Sequence, residues 1–167
     1  VLTIKKDENM LPLRSKSRIV VLGNHEDRVW SKSERFAPVL RSDSLRFLVS
    51  MAVDARRMLK QGDVKNAFCN GDLPPDEVTI VRPPLGDPAA KRDEFWLLRK
   101  TLYGLRRSPK HWYDKIARVF RSMGLQPNAY DPCVFSGCVR DPSDPSDSPT
   151  AKPITVGLYV DDFVYFS

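Results

Sequence analysis

Three aspartates stand at the ends of segments that the sequence predicts to be strands. Asp161 and Asp162 interrupt the apolar run ITVGLYVDDFVYFS, whose pattern predicts a strand, a two-residue turn and a second strand. Asp63 ends another strand-like segment, MLKQGDV. Asp is a common turn residue, so the adjacent pair alone fits an ordinary hairpin tip. Carboxylates at the ends of adjacent strands can also hold two divalent cations about 3.5–4 Å apart.

The metal-binding interpretation explains why like charges are crowded together, because a cation would offset their repulsion. Mg²⁺ takes oxygen ligands and often binds through a few carboxylates and the phosphates of a substrate. Two such ions lower the pKa of an attacking hydroxyl and neutralise the charge on a leaving pyrophosphate. The aspartates therefore indicate two-metal phosphoryl transfer, with plain turn chemistry as the alternative.

The elements that must position these acids alternate between strands and helices, which predicts an α+β domain. One helix is predicted from Ser42 or Ser44 to about Leu59, and a second has Ser108 as N-cap, Pro109 in its first turn and Gly124 at its end. Residues 24–38 are predicted to form a loop, and residues 140–153, rich in Ser, Asp and Pro, an exposed one. The other predicted strands are VLTIKK, SRIVVLG, EVTIV, EFWLL and PCVFSGCV.

Positive charge is concentrated in two zones of a 167-residue chain with net charge +6. Residues 1–62 carry 13 Lys/Arg against 7 Asp/Glu, and residues 91–121 carry ten against three. Such zones attract phosphates, although an ordinary solvated surface is the alternative. No apolar run approaches the ~20 residues of a membrane span. Three cysteines without zinc-site spacing indicate reduced thiols in an intracellular protein.

Five stretches occur in an order that resembles the reverse transcriptase of copia-type LTR retrotransposons: RFAPV, GDVKNAFCNGDL, LRKTLYGLRRSPKHWYDKI, DPCVF and LYVDD. The resemblance implies a polymerase palm-and-fingers core with an antiparallel sheet and packed helices, truncated after the catalytic hairpin. Residues 1–62 would be fingers-like, and residues 63–167 would mix fingers with the catalytic palm motifs. A thumb and an RNase H domain are expected to be absent from this partial domain.

The same resemblance implies roles for individual residues. Asp63 and Asp161 would be the principal metal ligands, Asp162 a weaker one, and Val64 would offer its backbone carbonyl. The ions would be two Mg²⁺, with Mn²⁺ as a substitute.

Other positions would bind the substrate. Phe68 would lie under the nucleotide sugar, although a core role is the alternative. The implied contacts to the triphosphate, the nucleotide or the template are Arg18, Lys16, Tyr103, Gly104 and Pro109.

The implied activity is RNA-directed DNA polymerisation, weak or absent in the isolated fragment. Its partners would be an RNA or DNA template with primer, dNTP, and the integrase, thumb and RNase H domains of a polyprotein, without a membrane. The expected location is cytoplasmic, in virus-like particles, with the nucleus as the alternative. Gly62, Cys69 and the segment VVLGNHED depart from the family pattern, but no catalytic acid is lost. Two other classes stay open: a nuclease or other two-metal phosphoryl enzyme, and an inactive nucleic-acid-binding remnant.

Overall fold

The computed structural model describes residues 1–139 and 152–167, which form two compact units. The hairpin unit comprises Val1–Arg35 and Phe68–Trp112, and the sheet unit comprises Phe36–Ala67 and Tyr113–Ser167. Each unit is thus assembled from two separate stretches of chain. Helices and antiparallel strands occur together, which confirms the α+β class.

The sheet unit is built on five antiparallel strands in the spatial order β3-β9-β8-β7-β6. Their bounds are β3 Lys60–Asp63, β6 Leu125–Pro127, β7 Val134–Val139, β8 Lys152–Tyr159 and β9 Asp162–Phe166. β3, β7 and the β8–β9 hairpin were predicted, and β6 was missed because three residues give too short a pattern. The predicted loop at 140–153 lies outside the described residues except for Lys152 and Pro153, which begin β8.

Helix α2, Ser42–Asp54, and the part of helix α4, Ser108–Ser122, that follows Trp112 contribute Leu48, Ala52 and Ala117 to the core of the sheet unit. Leu48 of α2 packs against Gly157 of β8. A Cβ added at Gly157 would lie 2.6 Å from Cδ1 of Leu48. Phe120 of α4 meets Phe135 of β7 edge to face at 5.0 Å between ring centroids. Buried side chains of this kind each stabilise the fold by roughly 1.5–3 kcal/mol. The buried core is Leu40, Leu48, Ala52, Ala117, Leu125, Cys133, Phe135, Val156, Leu158 and Phe166.

Helix α2 ends about five residues before the predicted Leu59. Arg56 adopts φ 52°, and the Arg57 amide donates to the Ala52 carbonyl. A left-handed residue with such a bond is a common helix termination. The apolar periodicity of the sequence continues to Leu59, so it does not indicate that the helix ends at Asp54. The second predicted helix is confirmed: α4 ends just before Gly124, whose φ is 90°.

The hairpin unit contains β1, Leu2–Lys6, paired with β2, Pro12–Ser17, and a short pair of β4, Ile80–Val81, with β5, Trp96–Leu97. It also holds the short helices α1, Lys32–Arg35, and α3, Pro88–Lys91. The predicted strand SRIVVLG is wrong, since the strand ends at Ser17. The Asp7 carboxylate accepts from the Asn9 and Leu11 amides, and this tight turn pairs β1 with the segment immediately after it.

Two further observations bear on the sequence predictions. In the part of the chain that the structure describes, no helix is long and apolar enough to cross a membrane. The three cysteines are free thiols, as expected. Cys133 is fully enclosed in the sheet unit, and burial raises its pKa to about 12.

Candidate active site

Asp63 and Asp162 are directly opposite each other across two strands of the sheet unit. The register of β3 and β9 pairs Lys60 with Tyr165, and continues to Asp63 paired with Asp162. Side chains at directly opposed positions have Cβ atoms about 4.5–5.5 Å apart. Both aspartates are exposed. The backbone therefore brings together two carboxylates that stand about 100 residues apart in the sequence.

Asp161 lies in the two-residue turn that joins β8 to β9, where Tyr159 pairs with Asp162. Its carbonyl accepts a hydrogen bond from the Val64 amide, 2.8 Å away, which links this turn to the end of β3. Val160, the other turn residue, has φ 57°. A positive φ at the first turn position only is typical of a type II′ turn, where Gly is preferred. A β-branched residue there stores roughly 1–3 kcal/mol of strain beside the acids.

The chemistry of this edge suits a hard cation. Carboxylate oxygens are the donors that Mg²⁺ prefers, and like charges at directly opposed positions destabilise a strand pair. None of the three carboxylates forms a salt bridge with another residue in the described ranges. Within those ranges, no group of three or more His, Cys, Asp or Glu side chains is arranged to hold a metal. The donor type therefore fits Mg²⁺, while the side chains do not form a prearranged cage.

Gly62 has a packing reason beside the acids. It is paired with Phe163, and a Cβ at Gly62 would lie 2.3 Å from Cζ of that ring. The aromatic side chain that follows Asp162 thus covers the glycine that precedes Asp63. Gly62 departs from the family pattern, in which a bulkier residue is expected. In the structure, the Phe163 ring fills the space that a larger side chain at position 62 would occupy.

In the hairpin unit, three of the predicted substrate-binding side chains form a row of contacts. The Phe68 ring meets the Tyr103 ring edge to face at 5.5 Å between centroids. The Arg18 guanidinium lies 5.6 Å from the centroid of the same Tyr103 ring. Phe68 is half-buried, and the Thr101 hydroxyl donates to its carbonyl. Sequence reasoning named these residues separately, and the structure brings them together around Tyr103.

Gly104 holds the loop that carries Tyr103. Its φ is 95°, and a Cβ would lie 1.9 Å from the Val21 carbonyl oxygen. The Val21 amide donates to the Tyr103 carbonyl at 2.8 Å, so the two backbones are in direct contact. Only glycine fits this approach, which gives Gly104 a structural reason for its identity.

Lys16 and Pro109 lie outside that row. Lys16 is on β2, opposite Thr3. Pro109 is the second residue of α4, because the helix begins at Ser108 itself. The Ser108 hydroxyl donates to the Leu102 carbonyl at 2.5 Å, so it ties the helix start to the preceding loop.

A cluster around Glu77 was missed by sequence reasoning. One oxygen of Glu77 accepts from Arg107 Nη1 at 2.5 Å and lies 3.0 Å from His111 Nε2. The Arg107 guanidinium also stacks on Trp30, 4.3 Å from the ring centroid. These side chains line a cavity of about 840 Å³ within the hairpin unit. Since 30 or more residues separate Glu77 from its partners, no local pattern in the sequence indicates the cluster.

Asp131 is a buried carboxylate with a clear structural role in the sheet unit. Its oxygens accept from the Arg41 and Cys133 amides, each at 3.0 Å. Burial alone raises the pKa of Asp131, but hydrogen bonds from Ser44, Arg41 and Cys133 outweigh it, so the net shift of the pKa is downward. The DPCVF motif thus fixes the start of α2.

Residues 1–167 match the family described as "Reverse transcriptase (RNA-dependent DNA polymerase)". The chain belongs to this reverse transcriptase family. The match covers every residue, including the three aspartates of the β3 and β8–β9 edge, and it confirms the resemblance to copia-type retrotransposon enzymes.

Curated relatives of this reverse transcriptase segment are transposon polyproteins. The Retrovirus-related Pol polyprotein from transposon TNT 1-94 of Nicotiana tabacum is 34% identical over 81% of the chain and 10% of its own length. That from transposon RE2 of Arabidopsis thaliana is 34% identical over 73% of the chain and 8% of its own length. The Transposon Ty1-MR1 Gag-Pol polyprotein of Saccharomyces cerevisiae is 28% identical over 71% of the chain and 6% of its own length.

The chain therefore spans a tenth or less of the length of these relatives. Comparison with solved structures gave no match.

Proposed function

We propose that this segment supplies the catalytic edge of an RNA-directed DNA polymerase, which transfers a nucleotidyl group from dNTP to a primer 3′-hydroxyl. A new phosphodiester bond forms, the bond to the leaving pyrophosphate breaks, and the hydroxyl proton is released. The observation that carries the proposal is the direct pairing of Asp63 with Asp162, with Asp161 in the adjoining turn. Family membership supports the reaction class.

Asp63 and Asp161 would hold two Mg²⁺ ions, or Mn²⁺ in their place, with Asp162 and the Val64 carbonyl as further ligands. When bound, such ions lower the pKa of the primer hydroxyl and neutralise charge on the pyrophosphate. The paired carboxylates of the chain keep this edge negative, so that cations are attracted to it.

Six further residues would orient the substrate. Arg18 and Lys16 attract the triphosphate through their charge. The Phe68 ring lies under the sugar and excludes a ribose 2′-hydroxyl by overlap, because packed sites tolerate little extra volume. Tyr103 contacts both Phe68 and Arg18, so it keeps the sugar-facing and phosphate-facing side chains in a fixed relation. Gly104 and Pro109 shape the loop and helix start on the nucleotide and template side.

The enzyme would work with a primed RNA or DNA template and with the integrase, thumb and RNase H domains of a polyprotein, in cytoplasmic virus-like particles. The relatives are polyproteins, which supports a multidomain setting. The isolated 167-residue chain should extend primers poorly, because it spans a tenth or less of the length of its polyprotein relatives.

Primer extension tests the proposal, with residues 1–167 built into a full-length polymerase. Asp63→Asn and Asp161→Asn should each lower the rate at least ~100-fold, because several kcal/mol of charge stabilisation is lost. The matched control is Asp54→Asn, which makes the same Asp-to-Asn replacement at an exposed carboxylate at the end of α2. It should leave the rate unchanged. Full activity in either of the first two variants would overturn the proposal.

The same assay separates the alternatives. Metal-dependent cleavage of the template without nucleotide addition would indicate a nuclease. Binding of nucleic acid with neither extension nor cleavage would indicate a remnant that has kept only its basic surfaces.

A further inference from the structure

The Glu77 carboxylate is carried on a stiff turn of the hairpin unit. The Glu77 amide donates to the Pro74 carbonyl at 2.9 Å, and Pro75 follows Pro74 inside the turn. Proline restricts the backbone, so this turn has few alternative conformations. Only 10% of the Glu77 side chain is exposed. The carboxylate therefore reaches its partners from a well-defined backbone position.

Two partners of Glu77 belong to the start of α4. Arg107 immediately precedes the helix, and its carbonyl accepts from the His111 amide at 3.0 Å, so the two residues are one helical turn apart. Arg107 Nη1 donates to one Glu77 oxygen at 2.5 Å, and His111 Nε2 lies 3.0 Å from the same oxygen. The side chains of Arg107 and His111 are 19% and 7% exposed. One carboxylate thus fixes both ends of the first helical turn.

The loop before α4 is tied to the helix start. The Ser108 hydroxyl donates to the Leu102 carbonyl at 2.5 Å, which closes the loop between these two residues. The loop carries Tyr103, whose ring contacts Phe68 and the Arg18 guanidinium. A displacement of the first turn of α4 would therefore be transmitted to the Tyr103 ring and to the two side chains that it contacts.

The charges of this cluster give Glu77 more than a packing role. Its carboxylate offsets the charge of the largely buried Arg107 guanidinium, whose Nε is enclosed and has no hydrogen-bond acceptor in the described ranges. Removing one partner of a buried ion pair is strongly destabilising, because the other charge stays buried. Without the Glu77 charge, the start of α4 would shift to expose Arg107 to solvent.

We propose that Glu77 is a positioning residue for the incoming nucleotide, which acts through the start of α4 and the Tyr103 ring. The inference rests on the proposed polymerase function, in which Phe68 faces the sugar and Arg18 attracts the triphosphate. Loss of the Glu77 charge should weaken nucleotide binding and sugar selection. The chemical step, which depends on the three aspartates, should keep its rate.

Single-nucleotide primer extension tests the inference, with residues 1–167 built into a full-length polymerase. Glu77→Gln keeps the size of the side chain and removes its charge. It should raise the KM for dNTP about tenfold and leave kcat within about twofold of wild type, the pattern expected for a loss of uniform binding. The ratio of ribonucleotide to deoxynucleotide incorporation should rise at least about threefold, because the Phe68 ring loses a fixed neighbour.

The matched control is Glu94→Gln, which makes the same replacement in another ion pair of the hairpin unit. A Glu94 oxygen lies 2.8 Å from Arg92 Nε, and both side chains are more than half exposed. Exposed ion pairs contribute little to stability. The control should therefore leave KM, kcat and the sugar ratio unchanged.

A second substitution separates positioning from misfolding. Misfolding lowers the active fraction and therefore kcat, but it does not change the KM of the molecules that remain folded. Arg107→Gln in the Glu77→Gln background removes the charge that has lost its partner and leaves two neutral amides. The KM of this double variant should be lower than that of either single variant.

Three outcomes would overturn the inference. A lower kcat with an unchanged KM and sugar ratio would mean that Glu77 only maintains the fold. Equal changes in Glu94→Gln would mean that the position of the ion pair is unimportant. A double variant whose KM rises by the product of the two single effects would show that the pair does not act as a unit. Each result leaves the polymerase function intact, because extension by wild type and its loss in Asp63→Asn are measured separately.

Discussion

Replacing Gly62 with alanine should displace the Phe163 ring beside Asp63 and Asp162. The added Cβ would lie 2.3 Å from Cζ, and 2.8 and 2.9 Å from the two Cε atoms of that ring. Overlap of this kind costs about 1–3 kcal/mol. Removing a glycine from a strand interior returns about 0.5–1 kcal/mol. We therefore expect Gly62→Ala to lower the free energy of unfolding by about 1–2 kcal/mol.

A double-mutant cycle isolates the clash. Phe163→Leu removes the ring, so Gly62→Ala in that background should be neutral or stabilising by about 0.5–1 kcal/mol. The coupling free energy between positions 62 and 163 should then be about 1–3 kcal/mol. Urea unfolding of the four proteins, followed by circular dichroism, gives these values.

The control is Gln61→Ala, at an exposed position in the same strand, which should change stability by less than about 0.5 kcal/mol. Additivity of the two substitutions within 0.5 kcal/mol would refute the reasoning, because it would mean that the ring and the glycine do not share space.

Three further expectations concern the turn, the sugar contact and a buried carboxylate. Val160→Gly should raise the free energy of unfolding by about 0.5–2 kcal/mol in urea titrations, because Gly adopts φ 57° without strain. Phe68→Val, in a full-length polymerase, should raise the ratio of ribonucleotide to deoxynucleotide incorporation roughly a hundredfold for a clash worth about 3 kcal/mol. Asp131→Asn should cost about 1.5–3 kcal/mol at pH 7. The pKa of Asp131 is lower in the folded protein than its value of about 3.9 in the unfolded chain. The stabilisation by the Asp131 carboxylate is therefore fully present above the unfolded pKa and is lost as pH falls through the folded pKa. Wild type should lose its stability advantage over the variant below about pH 4.

These expectations have distinct controls. A loss of stability in Val160→Gly would show that side-chain contacts outweigh the backbone strain. For Phe68, Phe68→Tyr keeps the ring and should keep the ratio, whereas an unchanged ratio in a folded Phe68→Val protein argues for a core role. A constant difference between wild type and Asp131→Asn from pH 7 to pH 3 would contradict the assigned shift.

Local signals in the sequence predicted much of the sheet edge that carries the three aspartates. Asp161 and Asp162 were expected at a hairpin tip, and the structure has Asp161 in the turn and Asp162 as the first residue of β9. Pro109 and Gly124 marked the two ends of α4. The catalytic roles of these acids remain predictions, since the geometry gives their neighbourhood but not their reaction.

Features that depend on distant partners were not predictable. The strand-like composition of SRIVVLG was overridden by the Asp7 turn, which selects the earlier segment as partner of β1. The Glu77 cluster joins positions 30 or more residues apart. Likewise, nothing local indicates that the Tyr103 ring lies between Phe68 and Arg18. Such contacts follow from chain topology, which periodicity and propensity do not encode.

The position of β9 between β3 and β8 also sets an order of events during synthesis on the ribosome. β3 leaves the ribosome with neither of its edges paired, and β9, its neighbour among the described strands of the sheet, is made about 100 residues later. At 5–20 residues per second, that delay is roughly 5–20 s. Throughout it, the backbone around Asp63 presents unpaired N–H and C=O groups, which are a template for pairing with other chains. Asp63 and Asp162 can therefore meet only after every other strand of the sheet has been made, so an interrupted translation product would carry the first aspartate without the edge that gives it a partner.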